Sequence, residues 1–114
     1  QQVTPDVLDY ILSILQIRNS MNTHDGINEL RKEIDALDNQ LMELLSNRMR
    51  VCRKIGHYKK EHNMTVLQTG RYNEILDKRG AQGSLCGMSA EFVKKIYEHI
   101  HEESVRQQIE IVNS

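Results

Sequence analysis

INELRKEIDALDNQLMELLSNRMRVCRKIGHYKKE, residues 27–61, is the stretch on which the fold turns. Its apolar residues Ile27, Leu30, Ile34, Leu37, Leu41, Leu44, Leu45, Cys52 and Ile55 recur at helical spacing. That is the period of a helix face, not the alternation of a strand. Gly56 alone interrupts the pattern, and no proline does. The spacing predicts one helix from Ile27 to about Glu61. At ~1.5 Å per residue it is on the order of 50 Å long. A compact domain of ~100 residues has a radius of gyration of only about 13 Å. The rest of one chain is too short to wrap such a rod, so a dimer is expected.

Working outward, Thr4-Pro5-Asp6 reads as a helix start: a capping hydroxyl, proline at the first helical position, then an acid. Val7, Leu8, Ile11, Leu12, Ile14 and Leu15 follow at helical spacing and predict a helix over Pro5–Arg18. NSMNTHDG, residues 19–26, reads as a polar linker. On the other side, His62–Thr65 is expected to end the long helix. A shorter helix is predicted over Thr69–Arg79 with Gly80 as its left-handed cap, and GAQGSLCGM, residues 80–88, as loop. Ser89 is placed to cap the last helix, with Met88 and Val93 as a hydrophobic staple. The last apolar stripe is Val93, Ile96, Tyr97 and Ile100, continued by Ser104, Gln108 and Ile111. The fold class is all-α: a three-helix body, residues 26–114, with a very long first helix, preceded by a linker segment, residues 1–25, that carries an extra amphipathic helix.

The totals narrow the function classes. The 114 residues carry a formal net charge of -1 and 4% aromatics with no Trp. A balanced charge and few stacking platforms argue against nucleic acid. No apolar run approaches the ~20 residues of a membrane span, and no signal peptide is evident. Two cysteines, Cys52 and Cys86, suit reduced thiols in the cytoplasm. His57 and His62, and His99 and His101, lack ligand spacing, and no HExxH or GxSxG motif occurs, so neither a metal nor a hydrolytic triad is expected. The chain begins QQV rather than with Met, which suggests a piece of a longer protein.

Two cations interrupt the apolar logic. A helix turns about 100° per residue, so Arg48 and Lys59 lie within about 20° of each other, near the middle of the long helix's apolar face. Ser104 and Gln108 sit likewise in the stripe of the last helix. An unpaired buried cation costs several kcal/mol, and Asp35, Asp38 and Glu43 lie off the seam. Taken singly, Arg48 can snorkel, Lys59 can serve the helix dipole, Ser104 can bond a carbonyl and Gln108 can be a rim residue. Taken together they fit an anionic ligand that enters the bundle, held by an arginine fork, a lysine point charge and neutral donors. Arg71, at the start of the second helix, is placed to join them. Arg31, about 100° off the main stripe, faces a partner chain in a dimer of long helices.

The 27–60 segment also resembles the first helix of the all-helical, AroQ-class chorismate mutases, with LRxxIDxLDxxLxxLLxxR followed by IGxxK. VLQTGRYNEIL is similar to that family's second-helix start, and EESVRQQ to its third-helix segment. The resemblance covers Ile27 to the C-terminus. It implies an intertwined homodimer that rearranges chorismate to prephenate without metal or cofactor. It implies that Arg31 crosses from the partner protomer to a substrate carboxylate, and that Arg48 binds a carboxylate in its own protomer. Lys59 would take carboxylate and the ether oxygen, Gln108 the ether oxygen, Ser104 a carboxylate, and Arg71 would belong to the charged network. Where the family carries acids, this chain has Gln68 and Tyr72, and Tyr72 is left to meet the substrate hydroxyl. The resemblance further suggests a mutase module from a fusion with 3-deoxy-arabino-heptulosonate-7-phosphate synthase, with Val7, Leu8, Ile11 and Leu15 as a face toward it. Two other readings stand beside it: an isochorismate-pyruvate lyase of the same fold, and a non-catalytic helical module that binds an aromatic-pathway acid.

Overall fold

The computed structural model describes residues 5–20 and 23–114. Four helices follow one another: α1 (Pro5–Ser20), α2 (Thr23–Glu61), α3 (Thr69–Leu85) and α4 (Ala90–Val112). There is no strand among the described residues. The capping role expected of Thr4 lies outside them, as do the Ile14 and Leu15 side chains. The chain divides into two compact units, residues 1–44 and 45–114.

In the first unit α1 carries Asp6 in its opening turn, where an acid complements the helix dipole. Its Val7, Leu8, Ile11 and Leu12 are exposed. The α2 helix begins at Thr23, so Thr23–Gly26, expected as linker, are helical. Nothing in that stretch forbids helix: there is no proline, and Asp25 stands in the favoured first turn. The row of Leu30, Ile34, Leu37, Leu41 and Leu44 is exposed throughout, up to 65% at Leu44.

The second unit is built on the rest of α2. This helix ends in a Schellman turn: Asn63 has φ 53°, Met64 N–H donates to the Lys59 carbonyl (2.8 Å) and Asn63 N–H to that of Lys60 (3.4 Å). Asparagine tolerates the left-handed conformation better than other side chains do, so the reversal falls here.

The α3 helix runs past its expected end to Leu85. Gly80 is not a cap, and 80–85 is not loop. The cap is Gly87, at φ +82°, with Met88 N–H donating to the Gly83 carbonyl (2.9 Å) and Gly87 N–H to that of Ser84 (3.4 Å). The two earlier glycines serve packing instead. A Cβ on Gly83 would lie 2.4 Å from Val93 Cγ2, a clash with a buried side chain of α4. Glycine is a helix breaker in isolation, but here its small size lets α3 and α4 approach.

Ser89 caps α4 as expected, accepting from Phe92 N–H at 3.0 Å. Among the described residues Cys52 and Val93 are the buried large apolar side chains, joined by the polar Ser104 and Gln108. Gly56 brings α2 against α4: a Cβ there would meet Gln108 Cα at 3.3 Å and Ile111 Cδ1 at 3.4 Å. On the outer face Arg53 Nη1 donates to Gln107 Oε1 (2.9 Å), and Gln107 Nε2 donates to Glu103 (2.8 Å). Arg106 adds two further bonds to the same carboxylate, at 2.8 and 2.7 Å. The bonds from Arg106 and Gln107 hold the Glu103 carboxyl down at about 2.

Candidate active site

Residues 48, 52, 55 and 59 recur along one face of α2. With 101, 104, 105 and 108 of α4, 71, 72 and 75 of α3, and 68 just before α3, they surround a cavity of about 650 Å³. The 62–68 connection closes one side through Met64 and Val66. The cavity lies wholly within the second unit.

Lys59 is the centre of its polar network. Its ammonium donates to the Val66 carbonyl (2.8 Å) and to Gln108 Oε1 (2.9 Å), which leaves a third donor for a guest. Gln108 Nε2 donates in turn to Ser104 Oγ (2.9 Å). Ser104 and Gln108 are only 7% and 6% exposed, so the relay fixes two polar side chains in an otherwise apolar seam. The Gln108 amide has a second N–H beyond the one given to Ser104. Burial pulls the Lys59 ammonium below its ordinary value, and Cys52 beside it acts in the opposite sense.

Arg48 is half-buried on the same face. Its guanidinium approaches Cys52 Sγ (3.7 Å) and lies 5.9 Å from the centre of the Tyr97 ring. These are weak partners for a permanent cation. No carboxylate is within 4.0 Å of Arg48 or Lys59 among the described residues, and no Asp or Glu lines the cavity. The fork of Arg48 is therefore available for an anion.

Arg71 reaches the cavity from the first turn of α3 while holding Glu74 at 3.0 Å on the exposed side. Gln68 precedes that helix, gives its amide N–H to the Thr65 carbonyl (2.9 Å), and also lines the cavity. Tyr72 stands on the next turn, with its ring stacked on His101 at 3.9 Å. The structure thus assembles Arg48, Lys59, Gln68, Arg71, Tyr72, Ser104 and Gln108 in one place. Arg31 is not among them. It is exposed in the first unit, on a charged surface with Asn28, Glu29, Lys32 and Asp35.

Sequence reasoning missed His101, Tyr97 and the Val66 carbonyl. His101 had a signal: it precedes Ser104 by three residues, one helical turn along the same stripe. The Val66 carbonyl had none, because a backbone acceptor appears only once the 62–68 connection is folded. Among the described residues no group of three or more His, Cys, Asp or Glu is placed to hold a metal ion, and no helix is long and apolar enough to cross a membrane.

Comparison with known proteins agrees with this geometry. Residues 30–109 match the model of the chorismate mutase type II family. The chain is 28% identical over 86 residues to a 4-amino-4-deoxychorismate mutase of Streptomyces venezuelae, covering 75% of this chain and 84% of that one. It is 26% identical over 84 residues to the T-protein of Haemophilus influenzae, covering 74% of this chain and 22% of that protein. A bifunctional chorismate mutase/prephenate dehydratase of Aquifex aeolicus is 36% identical over 54 residues, 47% of this chain and 15% of that one. The chain thus spans about a fifth of the length of the T-protein. It belongs to the chorismate mutase type II family, and so to a class of isomerases.

Proposed function

We propose that this domain rearranges chorismate to prephenate, as the mutase of aromatic amino-acid biosynthesis. One observation carries the reading. Two cations, Arg48 and Lys59, line a cavity without an acid, next to a buried Gln108–Ser104 relay. Such a site fits a small dicarboxylate with a polar atom between its carboxylates. The rearrangement is unimolecular and pericyclic, so it needs no nucleophile, base, metal or organic cofactor.

Arg48 binds one carboxylate through its fork, Ser104 supports a carboxylate, and Arg71 adds positive field at the mouth. These contacts hold the substrate folded so that its reacting carbons meet, an orientation effect. As the ether C–O bond breaks, negative charge grows on its oxygen. Lys59, with a spare N–H, and Gln108, with its second amide N–H, donate to that oxygen. Because both are already fixed in the folded chain, they stabilise the transition state without reorganising. A millionfold acceleration needs on the order of 8 kcal/mol, which a few charge-assisted bonds strengthened in the transition state largely supply.

The exposed apolar row of α2 supports a homodimer, since contiguous apolar surface of this kind marks an interface. In that dimer Arg31 of one protomer completes the carboxylate site of the other. The long relatives support a longer natural chain. A preceding synthase domain and cytoplasmic location complete this reading, with the exposed Val7, Leu8 and Ile11 of α1 as the docking face.

A second substrate merits mention because relatives carry its name: 4-amino-4-deoxychorismate, which bears an amine where chorismate bears a hydroxyl. The test is to follow loss of chorismate absorbance with the purified chain and identify the product by NMR. Prephenate is the expected product. Pyruvate would replace this reading with a lyase, and no turnover would overturn it.

A further inference from the structure

Arg53 is exposed on the outer face of α2, does not line the cavity, and yet bonds α4. Arg53, Gly56 and Lys59 are three residues apart, so on the α2 wheel Gly56 lies midway, about 60° from each of the other two. The α4 helix rests on Gly56, where a Cβ would meet Gln108 Cα at 3.3 Å. On one side of that contact Lys59 donates to Gln108 Oε1 (2.9 Å). On the other side Arg53 Nη1 donates to Gln107 Oε1 (2.9 Å). Gln107 and Gln108 are neighbours, about 100° apart on the α4 wheel.

The two bonds therefore grip α4 on either side of one pivot, and a roll of α4 about Gly56 breaks their joint fit. The outer bond is itself prepared. Gln107 Nε2 donates to Glu103 (2.8 Å), which turns the amide so that its oxygen meets Arg53. Glu103 is held in turn by two bonds from Arg106, at 2.8 and 2.7 Å. Glu103 and Gln107 immediately precede Ser104 and Gln108, so a grip on the outer pair places the inner pair. Leverage decides here, not strength. Exposed polar contacts contribute little to stability. At a radius of about 6 Å, however, a roll of about 10° moves a side-chain amide by about 1 Å. A misplacement of about 1 Å can lower catalysis by as much as about a hundredfold.

We infer that Arg53 and Gln107 are positioning residues for the rearrangement: their bond locks the roll of α4 about Gly56 and so aims the Gln108 amide at the reacting oxygen. The inference rests on the mutase reading and goes beyond it, since neither side chain lines the cavity.

The test measures kcat and KM for chorismate, the Tm, and solvent exchange of the Gln108 side-chain amide by NMR. Arg53→Ala and Gln107→Ala should each lower kcat about tenfold and change KM less than about threefold. Their Tm should move by less than about 5 °C. The Gln108 amide should exchange at least about tenfold faster in both, as expected of a loosened bond. The exchanged pair Glu103→Gln/Gln107→Glu puts a carboxylate opposite Arg53 and an amide behind it, and should recover most of the lost kcat. In a Gln108→Ala background, Arg53→Ala should change kcat less than about twofold, because the group it aims is gone.

Unchanged kcat and unchanged Gln108 exchange in Arg53→Ala would overturn the inference. So would an equal loss of kcat with and without Gln108, the mark of a general structural role. A wild-type chain inert toward chorismate would instead overturn the mutase reading and the catalytic role that rests on it, and the exchange rates would then show whether the lock on Gln108 stands.

Discussion

The two units of this chain depart from ordinary burial in opposite senses. In the first, Ile34, Leu37, Leu41 and Leu44 stand in solvent, each more than half exposed. In the second, Ser104 and Gln108 are taken out of solvent while Arg48 and Lys59 sit half-buried with no acid beside them. Both carry a free-energy cost that the chain alone does not offset. The difference lies in what would offset it. An apolar row is satisfied by another apolar surface, and a second copy of α2 is the nearest one at hand. A cationic, hydrogen-bonded cavity is satisfied by a small anion. One helix thus carries an assembly signal along its first half and a ligand signal along its second.

The largest effects should come from the ligand half. Lys59→Ala removes the ammonium that would meet the ether oxygen and also leaves Gln108 Oε1 without its partner. A fall in kcat of about a hundred- to a thousandfold is expected, the usual loss when one such donor is removed. Gln108→Ala should approach it. The Lys59→Ala/Gln108→Ala pair should lose less than the two losses combined, because the residues share one bond. Steady-state kinetics on chorismate checks all three.

The assembly half can be broken next. Leu37→Asp combined with Leu41→Asp should convert the proposed dimer to a monomer by light scattering and remove activity with it. A sharper form uses symmetry. If Arg31 serves the partner's site, Arg31→Ala and Arg48→Ala chains should each be nearly inactive alone. Mixed and reassociated, they should recover about a quarter of wild-type activity, since half the dimers are mixed and one of the two sites in each is intact. No recovery would show that Arg31 does not serve the partner's site, and an active Arg31→Ala chain would place it outside the site altogether.

Gly56 bears on the ligand half at smaller cost, since it lies against Gln108. A methyl there meets Gln108 Cα and Cγ at 3.3 Å, tight enough that α4 must shift by a few tenths of an ångström. Gly56→Ala should therefore raise KM severalfold and lower kcat modestly. Its stability should change little, since the gain in helix propensity opposes the strain.

The smallest effect is electrostatic. Glu103 is held at about 2 against an ordinary 4.5. Its folded value is depressed, so its contribution is present above pH 4.5 and is lost as the pH falls toward 2. Glu103→Gln should flatten the acid limb of a thermal-stability profile across that window and leave the neutral region nearly unchanged.

Much of this was legible in the residues because helical period is a strong signal. The α2 helix followed from its leucines, and Arg48, Lys59, Ser104 and Gln108 from their places in apolar seams. The failures have physical causes. Gly80 and Gly83 look like loop residues because glycine breaks isolated helices, whereas here each is buried where α3 meets α4. Thr23–Gly26 looked like linker because propensity is weak against a long helix that extends through it. His101 was set aside as a poor metal ligand. Its place one turn before Ser104 marked it as part of the same stripe, and only its stacking on Tyr72 of another helix needed the fold.

The most direct test is the Arg48→Ala variant beside the wild-type chain, with chorismate as substrate and prephenate quantified by NMR. The account predicts rapid prephenate formation by the wild type and a loss of at least about a hundredfold in kcat/KM for the variant, with its helical signal intact. Full activity in the folded variant would contradict the assignment of this cavity as the place where the reaction occurs.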